Sequence, residues 1–158
     1  MILDERSEFA DNTSVAAVAS TFVVGDVMDL GGTTQDIGTG RRISVVVSTA
    51  DTEIITGGVA GTIQFFLVSD ALSTLGGGVL ANCTQHIASG ALVTGAAGAN
   101  DDKLNVGGVI ITAELPHGTY ERFMGILCTV ATTTTTAGSI NAFLVNDPAK
   151  WVSTADAI

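Results

Sequence analysis

The sequence predicts an all-β protein, an antiparallel β-sandwich of about eight to ten strands. The chain has 158 residues, 19 of them glycine and only two proline. Apolar residues almost never recur at the i, i+3, i+4 and i+7 positions of an amphipathic helix. Short β-branched runs are instead separated by turn residues at the spacing of about 8–12 residues found in sandwiches and barrels. The length fits a single domain covering residues 1–158.

Four runs predict strands most clearly. Each is rich in Val, Ile, Thr or aromatic residues, which favour pleated, half-buried backbone. The third run ends at Pro116-His117-Gly118, where proline removes a ladder donor and glycine allows a turn. The four runs are residues 42–48, 62–68, 109–115 and 120–130, and shorter strands are predicted at 21–24, 27–30, 53–56 and 83–87.

An internal similarity refines the architecture. Residues 61–70 (GTIQFFLVSD) and 138–147 (GSINAFLVND) match at most positions. Such a match predicts two strands at equivalent places in two halves of the fold. A jelly roll contains two Greek keys and places its halves in facing sheets. The sequence therefore predicts a sandwich of the jelly-roll type.

The remaining segments are predicted to be loops and termini. Residues 1–12 are expected to form an extended N-terminal arm and residues 148–158 a C-terminal tail. The glycine-rich stretch 31–42 predicts a loop before a strand. Residues 70–108 predict long loops around a short strand or two. Because loops of that length in a compact domain are usually functional or ordered by a partner, inter-subunit contacts are expected there.

Composition points to association with protein. Hydrophobic residues make up 46% of the chain and charged residues 14%. We expect part of this apolar surface in subunit interfaces, whose centres exclude charge. Sixteen acidic against six basic residues give a net charge of −10, and no basic block exceeds Arg41-Arg42, so nucleic acid is not an expected partner. No run of about 20 apolar residues predicts a membrane span, and the acidic start argues against a secretory leader.

No motif predicts catalysis, a metal site or a cofactor. The two histidines, His86 and His117, have no second ligand at the i, i+2 or i, i+4 spacing that a shared strand or helix face requires. No G-x-S-x-G elbow marks a nucleophile. Cys83 and Cys128 are predicted to be buried free thiols, with a disulfide or a reactive thiol as the alternatives. The expected protein is not an enzyme.

Several segments carry a resemblance by their order and spacing. They are residues 1–6 with Phe9, 25–30, 36–38, 61–70, 115–116, 120–123, 125–126, and 137–148 with Trp151. Together they resemble the jelly-roll capsid cement, or decoration, proteins of tailed bacteriophages. The resemblance covers both ends of the chain well and residues 71–108 poorly.

The resemblance implies a structural function. A cement protein of this kind is expected to be made in the host cytoplasm and to trimerise on the outer capsid surface of the virion. There it would bridge neighbouring copies of the major capsid protein at three-fold and quasi-three-fold positions of an icosahedral shell. The interface hypotheses rest on side-chain chemistry: apolar arm anchors, a basic pair facing the capsid, and an aromatic subunit contact or edge plug. These residues are Ile2, Leu3 and Phe9, then Arg41 and Arg42, then Trp151.

Two other function classes are compatible with a jelly roll. A carbohydrate- or receptor-binding module would use exposed aromatic side chains to stack on sugars, and the chain has one Trp and one Tyr for this purpose. An enzyme with a cupin-type metal site would need a cluster of histidines, which two isolated ones do not supply.

Overall fold

The protein is an antiparallel β-sandwich in a computed structural model that describes residues 7–37, 42–57, 59–96 and 99–146. This part of the chain contains no α-helix, only short 3₁₀ turns, and so no helix long and apolar enough to cross a membrane. The predicted all-β class is confirmed. The eleven described strands are β1 (Glu8–Ser14), β2 (Ser20–Ile37), β3 (Ser44–Thr49), β4 (Ile55–Thr56), β5 (Gly61–Asp70), β6 (Thr84–Ala88), β7 (Leu92–Thr94), β8 (Val109–Glu114), β9 (Gly118–Ala131), β10 (Thr135–Ala137) and β11 (Ser139–Val145).

The strand order is that of a jelly roll. One sheet has the order β1-β11-β3-β8 and the other the order β2-β9-β5-β6, with β7 also pairing with β5. Every pair of neighbouring strands is antiparallel. The chain crosses repeatedly between the two sheets, which is how two Greek keys form a closed double layer. A two-stranded ribbon, β4 with β10, joins the layers at one end.

The strongest predicted strands all form, with shifts of a few residues. The two short strands predicted at 21–24 and 27–30 are parts of one long strand, β2. The loop predicted at residues 31–42 is wrong in its first part, because residues 31–37 continue β2. The register of β2 against β9 shifts between Asp29 and Thr34, and Gly31 has a left-handed φ of 82°. A β-bulge therefore accommodates the glycines without ending the strand. Residues 38–41 lie outside the described residues.

Part of the segment predicted to be an N-terminal arm forms a strand. Residues 8–12 belong to strand β1, which pairs with β11 at the edge of its sheet. Phe9, predicted to be an apolar anchor that docks the arm at a capsid or subunit interface, is 1% exposed and packs in the core of its own chain, so this assignment is corrected. The physical reason is that Phe9 and Ala10 are the apolar residues which let β1 close the sandwich. Residues 1–6 and the C-terminal tail lie outside the described residues.

The main core fills the space between the sheets. Alternate residues of β5 point inward, and Ile63, Phe65 and Leu67 are each fully buried there. Their neighbours Phe66 and Val68 point to the opposite face and are also buried, because the loop after β5 folds back over that face. The chain therefore hides apolar side chains on both faces of this sheet.

The covering loop is fixed by an unusual turn. Leu75, Gly76, Gly77 and Gly78 all have positive φ, between 45° and 77°. The Asp70 carboxylate accepts hydrogen bonds from the backbone N–H groups of Leu72 and Gly76 and so holds the loop to the end of β5. The turn places Leu75, which is fully buried, against the outer face of the sheet.

The internal sequence similarity corresponds to two central strands. The first segment is β5, which lies between β9 and β6 in one sheet. The second contains β11, which lies between β1 and β3 in the other. Both are interior strands with long buried runs, as two halves of a jelly roll require. The prediction that the two segments form strands in facing sheets is confirmed.

Candidate interaction surface

Four loops meet at one end of the sandwich. They are the connections around residues 15–19, 50–60, 89–108 and 132–138. The Thr135 N–H donates to the Ala17 carbonyl at 3.0 Å, and the Thr56 N–H donates to the Gly95 carbonyl at 2.9 Å. The Thr135 hydroxyl also donates to the Val15 carbonyl at 2.8 Å. The pairing of β10 with β4, which sets Thr135 opposite Thr56, joins these two pairs of loops into one surface.

Part of this surface is exposed and carries no charge. We call it the threonine end, and define it as Val18, Gly57, Val59, Thr132, Thr133, Thr134 and Thr136; these threonines belong to a run of five, of which Thr135 is buried. Val18 is 67% exposed and Val59 63% exposed. On a protein with a net charge of −10, an exposed surface with apolar and hydroxyl groups and no carboxylate marks a site for contact with another molecule.

A shallow groove runs through the threonine end. Its volume is about 380 Å³, and it is lined by Gly57, Val59 and four of the threonines. One lining residue, Thr132, has φ of 74°, which is the left-handed region that β-branched residues avoid. Backbone strain of this kind is concentrated at functional sites, where the surrounding structure maintains it. The groove offers hydroxyl and methyl groups and no group that could act as an acid, base or nucleophile at neutral pH.

The residues nominated from the sequence are not brought together in the described part of the chain. Arg42 is exposed, and its guanidinium lies 3.6 Å from the Glu114 carboxylate of the same chain. Phe9 is in the core. The other nominated residues, Ile2, Leu3, Arg41 and Trp151, lie outside the described residues.

His86 is held in a structural polar cluster. Its ring stacks on Tyr120 with the centroids 3.8 Å apart, and its Nε2 lies 2.8 Å from the Ser69 hydroxyl. Ser69 is fully buried and also accepts a hydrogen bond from the Glu121 N–H. A hydroxyl with two partners and no solvent access is not presented to a substrate. Burial lowers the pKa of His86, with Glu121 opposing, so the neutral ring is favoured.

Other reactive groups are likewise occupied or isolated. Burial raises the pKa of Tyr120 to about 12, and its hydroxyl donates to the Pro116 carbonyl. Both cysteines are free; Cys128 is buried, and Cys83 is half-buried with a pKa raised by burial and by Asp70 and Glu121. Among the residues that the structure describes, no three His, Cys, Asp or Glu side chains are grouped to hold a metal ion.

Aromatic side chains offer little surface for stacking on a sugar. The seven phenylalanine and tyrosine residues that the structure describes are all buried or half-buried. The tryptophan at position 151 lies outside the described residues. The described surface therefore provides no aromatic platform of the kind that lectin sites use.

An ion pair links two segments that carry the family resemblance. Arg122 on β9 donates to Asp29 on β2 through Nε at 3.0 Å and Nη2 at 2.8 Å. The Gly31 N–H donates to the same carboxylate at 2.8 Å. These bonds hold the pKa of Asp29 well below its usual value of 3.8, at about 2. Arg122 also lies over the Phe123 ring, 4.9 Å from its centroid.

We predict that Arg122→Gln raises the pKa of Asp29 from about 2 toward 3.8 without reaching it, because the Gly31 N–H still donates. A depressed pKa means that the pair stabilises the fold above pH about 4 and that this contribution is lost as the pH falls through about 2. Carboxyl carbon shifts in an NMR titration measure the change. Arg42→Gln, which removes a distant arginine, should leave Asp29 unchanged, and an unchanged Asp29 in Arg122→Gln would contradict the assignment.

Sequence reasoning missed the threonine end, although a signal for it is present. Four long stretches contain no charged residue: 12–25, 54–69, 71–100 and 123–146. The core strands β5, β9 and β11 account for fewer than half of these positions, and the others include the loop residues near Val18, Val59 and 132–136. Loops normally carry the polar and charged residues of a chain, so uncharged loops indicate a covered or contacting surface.

Comparison with known proteins places the chain in a family. No curated protein matches it. A family model described as Bbp16 matches residues 9–144. This range contains almost all of the sandwich, from β1 to β11. The match covers most of the chain, and the protein belongs to the Bbp16 family.

Proposed function

We propose that this protein is a capsid cement protein of a tailed bacteriophage: a non-enzymatic homotrimer that binds the outside of the icosahedral shell and stabilises contacts between major capsid proteins. The observation that carries the proposal is the threonine end, an exposed surface without charge on a strongly acidic protein. The family resemblance described above supplies the phage shell as the partner.

The polar groups of the described residues support a structural function. His86, Ser69 and Tyr120 bond to one another or to backbone and are at least half-buried. No cluster in the described residues combines a nucleophile, a base and an open pocket, the arrangement that catalysis requires. The groove at the threonine end instead suits contact with a protein surface through methyl groups and hydroxyl hydrogen bonds.

Multivalency explains how weak contacts would suffice. One threonine end offers only a small contact area, typical of a weak interface. Three copies in one trimer bind a shell through three such surfaces, and the second and third contacts form at high effective concentration. The trimer then holds neighbouring capsid subunits together, because all three contacts must break before it dissociates.

Val59→Asp tests the proposal. A carboxylate buried without a partner in the contact is costly, and three copies in the trimer multiply the effect, so we expect binding to shells to fall at least about tenfold. Co-sedimentation with shells of the same phage prepared without this protein measures binding. Leu72→Asp is the matched control, since Leu72 is 64% exposed against 63% for Val59 but lies in the loop after β5. Equal binding by the parent protein and Val59→Asp would contradict the role of the threonine end.

A further inference from the structure

The two flanks of the sandwich differ in charge. Strands β1 and β2 are the first in their sheets and contact each other, so the last strands, β8 and β6, lie on the opposite flank. The β1–β2 flank carries five acidic residues on its strands: Glu8, Asp11, Asp26, Asp29 and Asp36. Acidic side chains on an edge strand prevent it from pairing with another copy.

The β6–β8 flank lacks that protection. Six of its exposed residues on or beside the edge strands β6, β7 and β8 are uncharged: Gln85, Ala88, Val93, Val106, Val109 and Thr112. Val93 is 52%, Val106 61% and Val109 41% exposed. The one acidic residue on these strands, Glu114, lies at the end of β8 near Arg42. The loop between β7 and β8 carries two acidic residues and one basic residue, Asp101, Asp102 and Lys103.

We propose that the β6–β8 flank is the surface through which copies of this chain associate. This inference rests on the proposed function, which requires an oligomer, and adds where the copies meet. The partner is a second copy because the charge distribution selects it: acidic β1–β2 flanks repel each other, whereas β6–β8 flanks bring together edge strands that carry exposed valines and a single acidic residue. The β6–β7 edge of one copy faces the β8 edge of the next, a head-to-tail contact that closes into a ring of three.

The arrangement has a consequence for the threonine end. The β6–β8 flank runs along the length of its edge strands. When three copies meet through this flank around a three-fold axis, the strands of each copy lie nearly parallel to that axis. The loop ends of all three copies then lie at the same pole of the trimer. Three threonine ends facing one way are what multivalent attachment to a shell requires.

Charge introduced on the flank tests the inference. Val109→Glu and the nearly isosteric Gln85→Glu each place three like charges around the axis, so we expect the mass in light scattering to fall from the oligomer to a single chain. Both side chains are exposed, so circular dichroism should show the parent β-sheet spectrum. The matched controls are Val18→Glu at the threonine end and Gln35→Glu on β2, and both should keep the parent mass.

The outcomes separate the two proposals. An oligomeric parent protein whose mass survives both Val109→Glu and Gln85→Glu would overturn this inference and leave the proposed function standing. The same holds if those variants stay oligomeric and lose only shell binding, because the flank would then face the capsid. A parent protein with the mass of one chain would remove the proposed function itself.

Discussion

Gly25→Ala is expected to lower the free energy of unfolding by about 3 kcal/mol or more. Gly25 on β2 has φ of 68°, and a Cβ atom there would lie 2.0 Å from the Phe9 carbonyl oxygen on β1. The clash is with backbone, so no side-chain rotation relieves it, and β1 must move away from β2. The contact between β1 and β2 closes one flank of the sandwich. The free-energy cost of disturbing it therefore adds to the strain of a left-handed alanine. Thermal unfolding should shift down by roughly 10 °C.

Gly31→Ala separates the steric clash from the strain of a left-handed alanine. Gly31 lies on the same strand with φ of 82°, but a Cβ atom there would meet nothing within 4 Å. It should cost only the conformational strain, about 1–2 kcal/mol. Chemical denaturation of both variants measures the difference. Equal destabilisation would show that the close approach of β1 to β2 has no energetic importance.

Leu75→Ala is the second large effect. Leu75 is fully buried over the outer face of the β2-β9-β5-β6 sheet, where it packs with Phe66, Val68 and Leu127. Removing a buried leucine side chain costs about 2–5 kcal/mol, and the value depends on how far the site can collapse. The loop containing Leu75 is held by a left-handed turn and cannot easily follow, so we expect a value in the upper half of that range. Urea denaturation measures it.

Two companion variants give the control. Leu72→Ala removes the same side chain from a position that is 64% exposed in the same loop and should change stability by less than about 0.5 kcal/mol. Gly125 lies beneath Leu75, and a Cβ atom there would be 2.5 Å from the Leu75 Cδ1 atom. Gly125→Ala should therefore lower the stability of the parent protein more than it lowers the stability of a protein that already carries Leu75→Ala. Additive effects of the two changes would be evidence against this contact.

The central strands could be predicted because local sequence and burial agree in them. β3, β5 and β9 are long runs of β-branched and aromatic residues, and both faces of each are largely buried. β11 was recognisable through its similarity to β5. In such strands the apolar composition alone identifies the element. The sequence similarity between the segments that form β5 and β11 also indicated the jelly roll.

The peripheral elements could not be predicted because they depend on distant partners. β1 reads EFADNTS, which is mostly polar, and it forms a strand by pairing with β11 more than a hundred residues later. β7 and β10 have three residues each and exist only as partners of β5 and β4. The Gly76-Gly77-Gly78 run lies in the stretch predicted to form long loops, and nothing in the sequence indicates that the fold uses this run to place Leu75.

The candidate surface depends on the fold even more strongly. The uncharged stretches are visible in the sequence, but only the jelly roll brings the loops near Val18, Val59 and Thr132 to one end. Similarly, the acidic residues of β1 and β2 are unremarkable in the sequence and define a flank only because those strands form one edge of the sandwich.

The mass of the parent protein in solution, measured by light scattering coupled to size-exclusion chromatography, tests the central claim most directly. A chain that buries its β6–β8 flank and attaches to a shell through several copies should elute with the mass of three chains at micromolar concentration. A single-chain mass that persists as the concentration is raised would contradict the account.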